Sequence, residues 1–202
     1  MKTDPAMVAF LCKPENLKYA LEVADAIDDV CQNIQAEFFG PIYKEISAKL
    51  SADPLGQQWR IEQGLDDAAS NCITYGIWLV PEQRLQKYQL HYSLVTAIEE
   101  DDHYLYFGID WGGRRMKQPE GFPGKAGKPL VEFLVGEGCE SSEYTVGWKV
   151  LARFTGRKDL VLKLRERSEE LGNEGCRLFW KLFTDTAPLV AAVNAGLKGR
   201  KG

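Results

Sequence analysis

Two neighbouring segments constrain this chain more than any other feature. From Tyr88 to Ile98 the even-numbered residues Tyr88, Leu90, Tyr92, Leu94, Thr96 and Ile98 alternate with Gln89, His91, Ser93, Val95 and Ala97. From His103 to Trp111 the residues Leu105, Phe107, Ile109 and Trp111 alternate with Tyr104, Tyr106, Gly108 and Asp110. A period of two marks a strand whose two faces meet different surroundings. The hydrophilic link Glu99-Glu100-Asp101-Asp102 has the length of a hairpin connection. Setting Ile98 opposite His103 places Leu94 against Phe107, Tyr92 against Ile109 and Leu90 against Trp111, so the apolar faces coincide. A slip of one residue would send them to opposite sides. The same register sets His91 directly across from Asp110, on the face that also carries Tyr106.

Patterns elsewhere fill in the architecture. Leu17, Leu21, Ala24, Ile27, Cys31, Ile34 and Phe38 recur at spacings of three and four, which predicts a helix over 15–39. Gly40-Pro41 should end it and start a second helix bearing Ile42, Ile46 and Leu50. Residues 59–62 alternate briefly, and 73–80 are apolar on both faces, as in a central strand. The Pro-, Gly- and Lys-rich segment 117–129 predicts a loop and 131–135 a short strand. Over 144–154 a further strand is expected, with Tyr144, Val146, Trp148, Val150, Ala152 and Phe154 on one face. Asp159 should cap a helix to Leu171, Gly172-Asn173 should break it, and helix should resume over 174–183 and again from Asp185 or Thr186. The terminal KGRKG reads as a disordered basic tail. The sum is an α+β fold: an antiparallel sheet of about five or six strands flanked by N-terminal and C-terminal helices. One domain over 1–202 is expected, helical over 14–50, sheet over 59–154 and helical over 158–197.

Composition bounds the setting. No apolar run approaches bilayer length and no basic leader precedes the apolar N-terminal patch, so neither membrane nor signal peptide is expected. Five scattered cysteines without a C-x-x-C pair predict reduced, packed thiols and a cytoplasmic location. The net charge of −4 hides a split, −10 over residues 1–110 and +6 over 111–202. Opposite charges on the two halves fit halves that face each other, or a basic patch for anions beside an acidic one.

Candidate chemistry is sparse. Across the hairpin, a carboxylate beside an imidazole would raise the pKa of His91 and fix its tautomer, as acid–base or metal sites require; a cross-strand ion pair is the simpler role. Arg114, Arg115, Lys117, Lys125 and Lys128 crowd the Pro-Gly segment, with Lys149 and Arg153 on the following strand. Folded over the strand face opposite Trp148, that segment would favour phosphates. There is no G-x-x-x-x-G-K-[ST], G-x-S-x-G, G-x-G-x-x-G or H-E-x-x-H.

The segments "YLYFGIDW", "YTVGWKVLARF" and "LVLKLRERSEELGNEGCRLFWKLF", within 73–197, resemble the C-terminal part of uncharacterised bacterial proteins of the PD-(D/E)XK nuclease superfamily. The resemblance implies a nucleic-acid-associated ancestry. Its nucleases hold a divalent metal through an Asp and an E-x-K strand, yet here no lysine is preceded two positions earlier by Asp or Glu. No catalytic residue carries over, and none is assigned. The chain is therefore expected to be a binding or regulatory protein without a cofactor. A protein or nucleic acid is its partner, and an accessory factor of a mobile element or of phage–host conflict is one such setting. The alternative is a diverged Mg²⁺-dependent nuclease domain with Asp110, Glu132 and Lys149 as its candidates, and a weaker third is a small-molecule or nucleotide pocket around His91 and Asp110.

Overall fold

The computed structural model describes residues 4–69, 72–82, 89–99, 102–112 and 117–197. Five strands, β1 (Trp59–Ala69), β2 (Cys72–Pro81), β3 (Leu90–Glu99), β4 (Asp102–Trp111) and β5 (Thr145–Phe154), form one antiparallel sheet in sequential order. Helices α1 (Pro5–Leu11) and α2 (Pro14–Ala52) precede it, α3 (Gly124–Gly136) lies between β4 and β5, and α4 (Gly156–Glu166) and α5 (Ser168–Leu197) follow. This is an α+β fold with flanking helices.

The central hairpin has the register that the alternation demands. Leu90 opposes Trp111, Tyr92 opposes Ile109, Leu94 opposes Phe107 and Ile98 opposes His103. Pairing continues to Glu99 and Asp102, so the connection is tighter than four residues; positions 100–101, like Tyr88, lie outside the described residues. The inner face of the sheet joins Phe39, Ile42 and Ile46 of α2 and Phe179, Phe183 and Val190 of α5 in one core. Trp59, Tyr92 and Phe183 meet edge to face there, with ring centroids 5.2 to 5.6 Å apart.

Pro41 does not break its helix. α2 runs unbroken through it for 39 residues. Phe38 and Phe39 before the proline and Ile42, Ile46 and Leu50 after it are all buried along one stripe. Continuous packing against the sheet outweighs the single intrahelical hydrogen bond that a proline removes. The expected short strand at 131–135 is likewise helical, as part of α3. Gly127, Leu130 and Leu134, three and four apart, are its buried residues, and helical spacing prevails over the β-branched Val131 and Val135.

Two further differences trace to packing. Strand β5 carries register shifts between its pairings with Leu105 and Tyr106 and again between those with Ile109 and Asp110. The extra residues are Leu151 and Val146. Both add apolar surface to the core side, and Leu151 packs near Gly175 of α5. As a result Trp148 and Val150 pair with Gly108 and Tyr106 on the outer face, not beside Phe154 as simple alternation requires. In the C-terminal helices the break falls at Arg167, while Gly172 and Gly175 continue α5. A Cβ at Gly175 would come 3.5 Å from Leu94 and Leu151, and one at Gly172 3.8 Å from Ile42. These glycines mark close helix approach. Asp159 lies inside the first turn of α4, where its carboxylate accepts from the Thr155 N–H at 2.9 Å and from Lys163 Nζ at 2.8 Å.

One side chain completes the sheet. Pairing of β2 with β3 ends at Leu79 and Tyr92; the next hydrogen-bonded position would set Leu90 against Pro81, which has no N–H to give. Asn194 of α5 takes its place. Its Oδ1 accepts from the Leu90 N–H at 2.8 Å and its Nδ2 donates to the Leu90 carbonyl at 3.2 Å.

Candidate functional site

The outer face of the sheet holds the residues that the core does not use. Register places Trp78 across from Ser93, Gly76 across from Val95, His91 across from Asp110, Gly108 between Ser93 and Trp148, and Tyr104 across from both Ala97 and Arg153. Ser93, Val95 and Ala97 are buried but do not belong to the core cluster. Around this small-residue floor Trp78, Tyr104, Tyr106 and Trp148 are half-buried. Tyr106 and Trp148 meet edge to face at 5.7 Å, and the Arg153 guanidinium lies 4.9 Å over the Tyr104 ring, a cation–π arrangement.

His91 and Asp110 occupy opposed positions on this face. The carboxylate is also engaged elsewhere, since Ser93 Oγ donates to Asp110 Oδ2. The geometry explains this contact. Ser93 stands directly opposite Gly108, and Asp110 is its diagonal neighbour across the ladder. With no side chain at Gly108, the carboxylate can reach across. Asp110 Oδ1 is shielded from solvent and has no hydrogen-bond partner among the described residues. Close backbone approach confines the imidazole, because a Cβ at Gly112 would come 3.3 Å from His91 Nδ1. Ser93 is absent from the candidates read from sequence, although its diagonal position relative to Asp110 follows from the same register. Being fully buried, with its proton committed to Asp110, Ser93 presents no nucleophile to solvent.

The basic residues do not converge. Arg114 and Arg115 lie outside the described residues. Lys117 pairs with Glu143 at 2.7 Å and lies 5.7 Å from the Tyr144 ring. The Glu143 carboxylate holds the Lys117 ammonium above its usual range, and Lys117 holds Glu143 below its own. Lys125 is exposed in the first turn of α3, and Lys128 pairs with Glu132 at 3.7 Å on the same helix. Lys149, aligned with Phe107, projects from the helix-covered side of β5 and donates to the Glu137 carbonyl at 3.0 Å. Arg153 projects from the outer side. α3 does cover the β5 face opposite Trp148, but through Leu134, which stands against Gly147.

Asp110, Glu132 and Lys149 are likewise dispersed: the outer face of β4, an exposed ion pair on α3, and the inner side of β5. Among the described residues no three His, Cys, Asp or Glu side chains gather around a common point that could hold a metal ion, and no helix is long and apolar enough to cross a membrane. A depression of about 390 Å³ is lined by Glu166, Arg167, Glu169, Glu170 and Asn173. These residues are all polar, unlike the mostly apolar lining of a small-molecule pocket. Comparison with protein-family models, curated proteins and solved structures returned no match for the chain.

Proposed function

We propose that this protein is a binding factor that holds a protein partner on the outer face of its sheet, centred on Tyr104, Tyr106, Trp148 and Arg153. The observation that carries this reading is the composition of that face. Half-buried Trp and Tyr side chains with an exposed Arg laid over one of them, pre-ordered by contact with one another, are of the residue types that dominate binding energy at protein interfaces. Nucleic acid is the less favoured partner because affinity for it comes chiefly from Lys and Arg on phosphates. The described lysines stand on other surfaces, several already paired with carboxylates. The free thiols of Cys12, Cys31, Cys139 and Cys176 suit a reducing compartment such as the cytoplasm.

The test compares wild type with a Tyr106→Ser, Arg153→Glu double variant of unchanged circular dichroism. Each carries a photo-crosslinker at Val150 and is irradiated in native lysate. A discrete crosslinked protein obtained with wild type and lost from the variant supports the reading. Equal crosslinking by both overturns it, and nuclease-sensitive capture with steep salt dependence would assign the face to nucleic acid instead.

A further inference from the structure

His91 and Asp110, which register sets opposite one another on the outer face, turn opposite ways along the sheet. Ser93 Oγ donates to Asp110 Oδ2, so the carboxylate leans toward the level of Ser93 and Gly108. The imidazole leans toward Gly112, where an added Cβ would come 3.3 Å from His91 Nδ1. Asp110 Oδ1 is left shielded from solvent and, among the described residues, without a hydrogen-bond partner. A buried acceptor without a donor is a costly arrangement that calls for a cause. The two groups can meet. The Gly112 N–H donates to the Gln89 carbonyl, and His91 and Asp110 lie two residues along in the same phase. They are therefore a hydrogen-bonded pair of the ladder, with Cα atoms about 5.5 Å apart. A change of rotamer alone can bring an imidazole nitrogen to Oδ1.

We infer that Asp110 Oδ1 is an acceptor kept for the protonated form of His91, so that uptake of a proton from solvent draws the imidazole off Gly112 and onto the carboxylate. An imidazolium donating to a carboxylate makes a charge-assisted bond roughly twice as strong as a neutral one, which is why the proton selects this arrangement. The charged groups around the pair leave the carboxylate to His91. On the β1 side, Arg60 and Glu62 are bonded to one another at 2.6 Å. On β5, Asp110 pairs with Thr145, and Glu143, two residues before it, is bonded to Lys117 at 2.7 Å. The titratable groups further up β4 on this face are Tyr106, in contact with Trp148 at 5.7 Å, and Tyr104, under Arg153. The helices pack on the other face, and Arg114 and Arg115 lie outside the described residues. The device occupies one end of the aromatic face. It sets whether a partner there meets a carboxylate or a neutralised pair.

Proton NMR of the full chain tests this directly. The sequence has two histidines, and the resonance lost in His91→Gln identifies the one of interest. The His91 titration midpoint of wild type is expected at least about one pH unit above that of Asp110→Asn, a variant that keeps the side-chain shape and an acceptor for Ser93. The Gly112 amide should shift with the same midpoint in wild type and stay fixed through that range in His91→Gln. The folded chain then holds the His91 proton more tightly than the unfolded one. The contact therefore adds stability in acid that is lost as the pH rises through the His91 midpoint, and urea unfolding should show this in wild type and not in Asp110→Asn. Equal His91 midpoints in wild type and Asp110→Asn overturn the inference, as does a Gly112 amide that does not follow the imidazole. Should Asp110→Asn fail to fold, Ser93→Ala decides. Losing the Ser93 donor leaves more of the carboxylate to His91, so the midpoint should stay as high or rise, and a fall overturns the inference. None of these measurements needs a partner, so their outcome and that of the crosslinking test are separable.

Discussion

Replacing Asn194 with Ala should be among the most damaging single-atom-group deletions outside the apolar core. Among the described residues Asn194 alone bonds both backbone groups of Leu90 on the side where β2 has ended, and the Leu90 side chain is fully buried. Alanine leaves one donor and one acceptor without partners. A buried unsatisfied group costs about 1–3 kcal/mol, so two cost roughly 2–6 kcal/mol; water reaching the partly buried end of the contact trims this to about 2–4 kcal/mol. For a chain of this size that corresponds to a fall in Tm of roughly 4–16 °C. Asn194→Asp separates the two bonds. Its carboxylate still accepts from the Leu90 N–H but turns a second oxygen toward the Leu90 carbonyl. Repulsion there favours the protonated acid, so the folded-state pKa of the introduced Asp is raised. The folded state then binds the proton more tightly than the unfolded state. The Asp variant should therefore gain stability relative to wild type as pH falls from 7 toward about 4. Urea unfolding followed by tryptophan fluorescence at pH 7 and 4.5 measures both effects. An Asn194→Ala penalty under about 0.5 kcal/mol, or an Asp variant whose deficit does not shrink in acid, would refute the backbone-surrogate role. Because His91 is the next residue along β3, loss of the clamp should also broaden its imidazole resonances in NMR spectra.

Two other outcomes follow from buried polar groups. Thr186 Oγ donates to the Leu182 carbonyl at 2.6 Å, so at its 2.9 Å contact with Tyr92 the phenol must be the donor, and burial pushes the Tyr92 pKa up. Thr186→Val should cost more than Tyr92→Phe because it strands a buried O–H, and the double variant should be less destabilised than the two singles combined, with a coupling of about 1 kcal/mol by urea unfolding; strict additivity would contradict this. Cys176 has its thiol pushed up to about 12 by burial and by the neighbouring Glu45 carboxylate, whereas Cys12 is exposed. Iodoacetamide at pH 8 should therefore modify native Cys12 at least tenfold faster than Cys176, which peptide mass spectrometry resolves; comparable rates would contradict the burial.

The site was only half legible in the sequence. His91 and Asp110 face each other because strand periodicity and the coincidence of two apolar faces fix the register, and both are local properties. Ser93 followed from the same pairing but required attention to the empty position at Gly108. The aromatic cluster was not readable. Trp148 joins Tyr106 only because the bulge at Leu151 reverses which residues of β5 face outward relative to Phe154, and that bulge seats Leu151 against distant elements. The dispersal of the lysines could not be read either, since a run of basic residues in sequence does not say whether Glu143, Glu132 or a carbonyl at Glu137 will stand beside each one.

By itself, then, the sequence determined the meander's central hairpin, its register and the α+β class, because a period of two or of 3.6 acts over neighbouring residues and needs no partner to be expressed. Tertiary structure alone decided the passage of α2 through Pro41, the helical state of 131–135, the continuation of α5 through Gly172 and the bulges of β5. In each of these, the local signals from proline, glycine and β-branched residues are worth about 1–3 kcal/mol. Burial of several large side chains against elements far along the chain is worth more.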